Sequence, residues 1–182
     1  QREQFIPFIK IIKNNSIEEK LKINKDYRKT KRKLSRSYYP LNEQTKFKIN
    51  QLFRKYTKNK KFSQKKILVK GRTFLIKNYY DGIASFTFDE LCNVNIGSED
   101  YIKIVHECSL IFIKNIPNFN DDNANKQNRF ISLIDIIYEK KVPLITSSVV
   151  PIIKLSSSVK LRKPFKRSLS RIHELSSITF IY

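Results

Sequence analysis

The chain has 182 residues, 40% apolar and 12% aromatic, which is enough for one folded domain with a core and argues against intrinsic disorder. It carries 37 Lys and Arg against 16 Asp and Glu, a formal net charge of +21. No apolar run approaches the ~20 residues that a membrane-spanning helix needs, and the N-terminus lacks the basic, apolar and small-residue pattern of a secretory signal.

Taken in chain order, Gln1 to Lys13 reads as a helix with Phe5, Phe8, Ile9 and Ile12 on one face, and Leu21–Asn24 as a short strand. Lys29 to Arg36 is a basic connector. A helix after Pro40 has its N-terminus favoured by Asn42 and Glu43 and its apolar stripe made of Ile49, Leu52, Phe53 and Tyr56. Lys58 to Lys66 reads as a lysine-rich loop. Strands Ile67–Val69 and Thr73–Ile76 are expected to join at a tight turn over Gly71-Arg72, and Asp81-Gly82 signals a second hairpin into a strand over Ile83 to Phe88. A helical turn over Asp89 to Cys92 follows. Gly97-Ser98 then opens a helix that buries Tyr101, Ile104, Val105 and Cys108.

The organising stretch is Ser109 to Ser148. Two short apolar runs, Leu110–Ile113 and Val142–Thr146, flank a helix whose Phe130, Leu133, Ile134, Ile137 and Tyr138 recur at i, i+3, i+4, i+7 and i+8. Strand, helix and strand in this order predict two parallel strands with the helix packed across them. Beyond Pro151 come a short helix, a loose stretch from Ser156 to Pro164, and a last amphipathic helix around Phe165, Leu169, Ile172 and Leu175.

Few residues here suggest catalysis. The three glycines, Gly71, Gly82 and Gly97, form no G-x-x-x-x-G-K-[ST] phosphate loop, and there is no nucleophile elbow or H-E-x-x-H helix. Cys92 and Cys108 read as reduced core residues, and with His106 and His173 they make no zinc spacing. His173 beside Glu174 reads as a surface pair. Arg129, Arg167 and Arg171 are suited to phosphate by their permanent, forked charge, but equally to structural ion pairs, such as Arg171 with Glu174. The charge of +21 reads first as compositional drift toward Lys, Asn and Ile, and second as a nucleic-acid surface.

Several pieces stand together in one order: QREQFIPFI, DYR, YYPL, VKGRTF, FTFDELC with GSEDY, FIKNIP, RFISLIDIIYEKKVPL and RSLSRIHELSS. In that order they resemble the C-terminal half of the ZapE cell-division ATPases and their mitochondrial AFG-like relatives, which are AAA+-type P-loop ATPases. The resemblance runs from Gln1 to the last helix. It departs in the residues before Pro151, which lack the family's small, Ala-rich pattern, and in the shortened, basic Ser156–Pro164 stretch.

The resemblance implies an α/β fold: a P-loop NTPase-like partial fold with a parallel βαβ unit, a β-hairpin and peripheral helices. The expected divisions are 1–30 as the tail of the nucleotide-binding core, 31–66 as a basic helical connector, 67–155 as the α/β region and 156–182 as the C-terminal helix. It further implies ATP hydrolysis by the full-length protein, with ATP and Mg2+ bound by a preceding half. This chain, which contains no Met, is then expected to be a fragment inactive alone. Arg2 falls in the family's QR-x-x-F-[IL]-PFI stretch and is expected to act as an arginine finger. Arg129, and Arg171 in the S-R-[IL]-x-E motif, are expected in nucleotide sensing or subunit contact. The implied partners are other copies of the chain and proteins of the division apparatus or of membrane-protein quality control. The location is cytoplasmic, at the inner face of the membrane, or mitochondrial in a eukaryote. The alternative is a stand-alone basic module that binds nucleic acid.

Overall fold

The computed structural model describes residues 36–177. The helix expected over Gln1 to Lys13, the strand Leu21–Asn24 and Arg2 lie outside these residues. The elements are β1 (Ser37–Tyr38), α1 (Glu43–Thr57), β2 (Phe62–Val69), β3 (Arg72–Tyr80), β4 (Ile83–Thr87), α2 (Phe88–Cys92), α3 (Ser98–His106), β5 (Leu110–Ile116), α4 (Ala124–Glu139), β6 (Leu144–Ser148), a 3-10 turn (Ile152–Lys154) and α5 (Arg162–Leu175). The strands form one sheet in the order β1-β6-β5-β4-β3-β2. β1, β6, β5 and β4 are parallel, and β3 and β2 extend the sheet as an antiparallel hairpin.

Strand alternation explains why the central runs read as continuously apolar. Ile83, Leu110, Phe112 and Ile145 point to one face, where they meet Ile49 and Tyr56 of α1. Ala84, Phe86, Ile111, Ile113 and Leu144 point to the other, against α2, α3, α4 and α5. A strand covered on both faces has no polar side to show. The parallel βαβ unit expected over Ser109 to Ser148 is therefore present, with β5 and β6 in register through Phe112 and Ile145.

On α4, Phe130, Leu133, Ile134 and Ile137 are each at most 1% exposed. Burying side chains of this size contributes about 1.5–3 kcal/mol apiece. Phe119, Phe130, Phe88 and Phe165 pack ring on ring beneath α4 and α5, with centroids 5.2–5.8 Å apart.

Three local expectations are corrected. The lysine-rich loop is only half as long as expected, because β2 begins at Phe62. Its first residues alternate weakly, but pairing with β3 supplies their backbone partners. The β2–β3 turn falls at Lys70-Gly71, not Gly71-Arg72, since Arg72 pairs with Val69. Both turn residues have positive φ, 47° and 77°, as do Asp81 and Gly82 at 47° and 86°. Two-residue hairpins need this mirror-image turn to match strand twist, and Gly suits its second position. Finally, Ser156–Pro164 is not loose. Ser156 Oγ donates to the Phe119 carbonyl at 2.8 Å, and the Ser158 and Val159 amides donate to Gln127 Oε1 and Asp121 Oδ1 at 3.0 Å each.

Candidate functional site

β1 and β6 are neighbours and parallel, but the chain leaves their C-terminal ends toward opposite faces. After β1 it enters α1 on one face; after β6 it enters the 3-10 turn and α5 on the other. A crevice opens at such a point, and in parallel α/β sheets this is where ligands bind. A cleft of about 290 Å³ lies there, lined by Asn42 and Lys46 near the start of α1 and by Thr87, Lys114, Asn115 and Ser147 at the strand ends.

Each polar group reaches the cleft for a local reason. Thr87 ends β4 and caps α2 in a complete capping box: the Glu90 amide donates to Thr87 Oγ1 at 3.2 Å, and the Thr87 amide donates to Glu90 Oε2 at 2.7 Å. Asn115 sits at φ 64°, a conformation Asn tolerates better than most residues, where the register of β5 against β6 shifts. Its amide donates to Ser147 Oγ at 3.0 Å. Lys114, beside it, is half-buried and makes no hydrogen bond or ion pair among the described residues. Burial pushes its ammonium below the usual lysine range, and the Glu90 carboxylate partly offsets this. At the mouth, the Asn42 side chain accepts the Thr45 amide at 2.9 Å, and Glu43 pairs with Lys46 at 3.3 Å.

The cleft offers Lys114, a second lysine paired with Glu43, side-chain amides and hydroxyls, but no nucleophile held against a base. It also does not fit a nucleoside triphosphate. The segment between β1 and α1, Tyr39-Pro40-Leu41-Asn42, contains no Gly to let phosphate approach the backbone, and Glu43 places a carboxylate in the first turn of α1.

The arginines lie elsewhere. Arg129, in the second turn of α4, donates from Nη1 to the Cys92 carbonyl at 3.3 Å, closing the C-terminal end of α2. Arg171 pairs with Asp135 of α4, not with Glu174 as the sequence suggested, and its guanidinium lies 4.8 Å from the centroid of the Tyr138 ring. Arg167 reaches the other oxygen of Asp135 at 3.0 Å. The one-turn spacing of Arg167 and Arg171 thus lets one carboxylate hold both. Cys92 and Cys108 are buried, and burial pushes both thiols up to about 12, so neither is a reactive thiolate at neutral pH. Among the described residues no three His, Cys, Asp or Glu side chains gather as a metal site.

Sequence reasoning passed over Thr87, Lys114, Asn115 and Ser147. The available signal was the abrupt change from apolar to polar at each strand end, IFI to KN and IT to SS.

Residues 1–181 match the family described as AFG1-like ATPase. An uncharacterized protein of Schizosaccharomyces pombe is 31% identical over 155 residues, covering 84% of this chain and 34% of that protein. Cell division protein ZapE of Escherichia coli (strain K12) is 24% identical over 184 residues, covering 100% of this chain and 48% of ZapE. Lactation elevated protein 1 homolog B of Danio rerio is 28% identical over 159 residues, covering 85% and 32%. The chain therefore spans about a third to a half of the length of these relatives. No solved structure gives a significant match.

Proposed function

This chain belongs to the AFG1-like ATPase family, and we propose that it is the C-terminal part of an ATP-hydrolysing AAA+-type protein that couples nucleotide state to the remodelling of protein partners. The observation that carries this reading is the match across residues 1–181. The switch-point cleft has no phosphate cradle, and ATP and Mg2+ are proposed to bind to a part of the full-length protein outside this chain. Arg2 is the residue proposed to act on the nucleotide. An arginine presented to a neighbouring subunit's γ-phosphate stabilises charge that develops only in the transition state, an effect of about 10³–10⁵ in rate. That role requires a homo-oligomer. Arg129 and Arg171 are proposed to hold the α2–α4 and α4–α5 contacts through which nucleotide state is sensed or a neighbouring subunit is met. Partners in cell division are proposed from ZapE, the bacterial relative whose name carries that role, and membrane-protein quality control from the family resemblance. The location that goes with these is the cytoplasm or the inner face of the membrane, or the mitochondrion in a eukaryote.

The test is Arg2→Ala in the full-length protein. Turnover should fall by roughly 10³ or more while ATP affinity stays within a few-fold. Unchanged turnover would overturn the assignment of Arg2.

A further inference from the structure

We propose that the face bearing α1 and the β2–β3 hairpin binds single-stranded nucleic acid. The fold sorts the charge. Residues 36–80, which form β1, α1, β2 and β3, hold thirteen Lys and Arg against one Asp or Glu; residues 81–177 hold thirteen against eleven. Compositional drift alone would load both segments alike. Five of the thirteen bases, Lys60, Lys65, Lys70, Arg72 and Lys77, pair with carboxylates of residues 81–177, so among the described residues the exposed excess lies mainly on α1 and the loop and strand that follow it.

Its arrangement on α1 follows from the helix period. Ile49, Leu52, Phe53 and Tyr56 face the sheet, so Phe47, Lys48, Arg54 and Lys58 face away from it. Phe47 is 67% exposed at the middle of that outward face. Lys61 and Lys66 continue the cationic surface along the loop and onto β2, the edge strand. All five cations are exposed, and none forms an ion pair among the described residues. Five exposed cations outside any ion pair along α1, the loop and β2 suit a polyanion, whose released counterions drive binding. An exposed aromatic ring among those bases suits unpaired bases, which stack on any such ring whatever their sequence. An anionic membrane fits less well, because α1 spends its apolar face on the sheet and has no second one to sink into lipid.

The test uses the full-length protein and fluorescence anisotropy with labelled single-stranded RNA and DNA of roughly 20 nucleotides. With about five phosphates contacted, affinity should fall about 100-fold between 50 and 200 mM salt. The variant Lys48→Ala/Arg54→Ala/Lys58→Ala should bind at least about tenfold more weakly at low salt and lower the salt slope by about 2. Phe47→Ala should weaken binding by roughly tenfold with the slope unchanged. Lys140→Ala/Lys160→Ala/Lys166→Ala, equally exposed but on α4, α5 and their loops, is the control for net charge and should bind like wild type. Thermal melts of all variants should match wild type, so that loss of fold is separated from loss of binding. Three results would overturn the proposal: no binding at low salt, equal losses in both triple variants, or retention on phosphatidylserine vesicles without binding to either nucleic acid.

Discussion

At the scale of single residues, Gly82 is the position where a side chain is least tolerable. Its φ of 86° is left-handed, and a Cβ there would lie 2.7 Å from Ser109 Oγ. Its carbonyl also accepts the Ser109 amide at 2.7 Å. Gly71 shares the left-handed φ, at 77°, but a Cβ there would meet nothing within 4 Å. Gly82→Ala should therefore cost about 1–2 kcal/mol and Gly71→Ala about 1, the difference being the rotation of the exposed Ser109 hydroxyl away from its hydrogen bond to the Gly82 carbonyl. Urea melts of the two variants measure it, and equal losses would show that φ alone decides. Both glycines were legible in the sequence as turns. What was not legible is which turn is crowded, because Ser109 is distant in sequence. Lys114 escaped notice for a related reason: a lone Lys at the end of an apolar run gains meaning only when the ends of β4 and β6 and the start of α1 converge beside it.

At the scale of elements, the α4–α5 pair depends on one carboxylate. Asp135 is contacted by Arg167 and Arg171 together, and its neighbour Tyr138 donates its hydroxyl to Glu174 at 3.0 Å. The Arg171 side chain is 24% exposed and that of Arg167 58%. Exposed pairs contribute about 0–1 kcal/mol, while removing the partner of a more enclosed charge costs more. Asp135→Ala should destabilise by about 1–3 kcal/mol, Arg171→Ala by about 1–2 and Arg167→Ala by less than about 1. A double-mutant cycle on Asp135 and Arg171 should give a clear coupling energy; a coupling near zero would reduce the pair to surface decoration. The elements themselves were readable from periodicity, and α4 and its flanking strands emerged as expected. The partner of Arg171 was not, because Glu174 competes for it one turn away along α5 whereas Asp135 is brought close only by packing. β2 was underestimated for the mirror-image reason: a run of Ser, Gln and Lys has weak strand preference, and only pairing with β3 makes it a strand.

At the scale of the whole described body, periodicity could reveal two parallel strands but not the order of six. The position of β1 beyond β6 leaves no local mark, since β1 is two residues long and pairs through Ser37 with Thr146 and Tyr38 with Ser147. Without that neighbour there is no switch point, so the cleft was invisible for as long as the order was unknown. The same pairing has a consequence for how the protein is made. The hydroxyls of Thr146 and Ser37 meet at 2.9 Å across 109 residues of sequence. At about 5–20 residues per second, a ribosome needs roughly 5–20 s to synthesise that interval. For that time β1 has no strand to join, and the α1 side chains Ile49, Phe53 and Tyr56 lack Ile145, the part of their cover that β6 supplies. Nascent chains arrested before Leu144 should therefore be cut by protease within α1, and chains arrested well past Ser148 should resist; equal resistance in both would mean that α1 settles without β6. Translation speed across the second half of the chain, and the chaperones present during it, then help to decide how much of the protein reaches its native state.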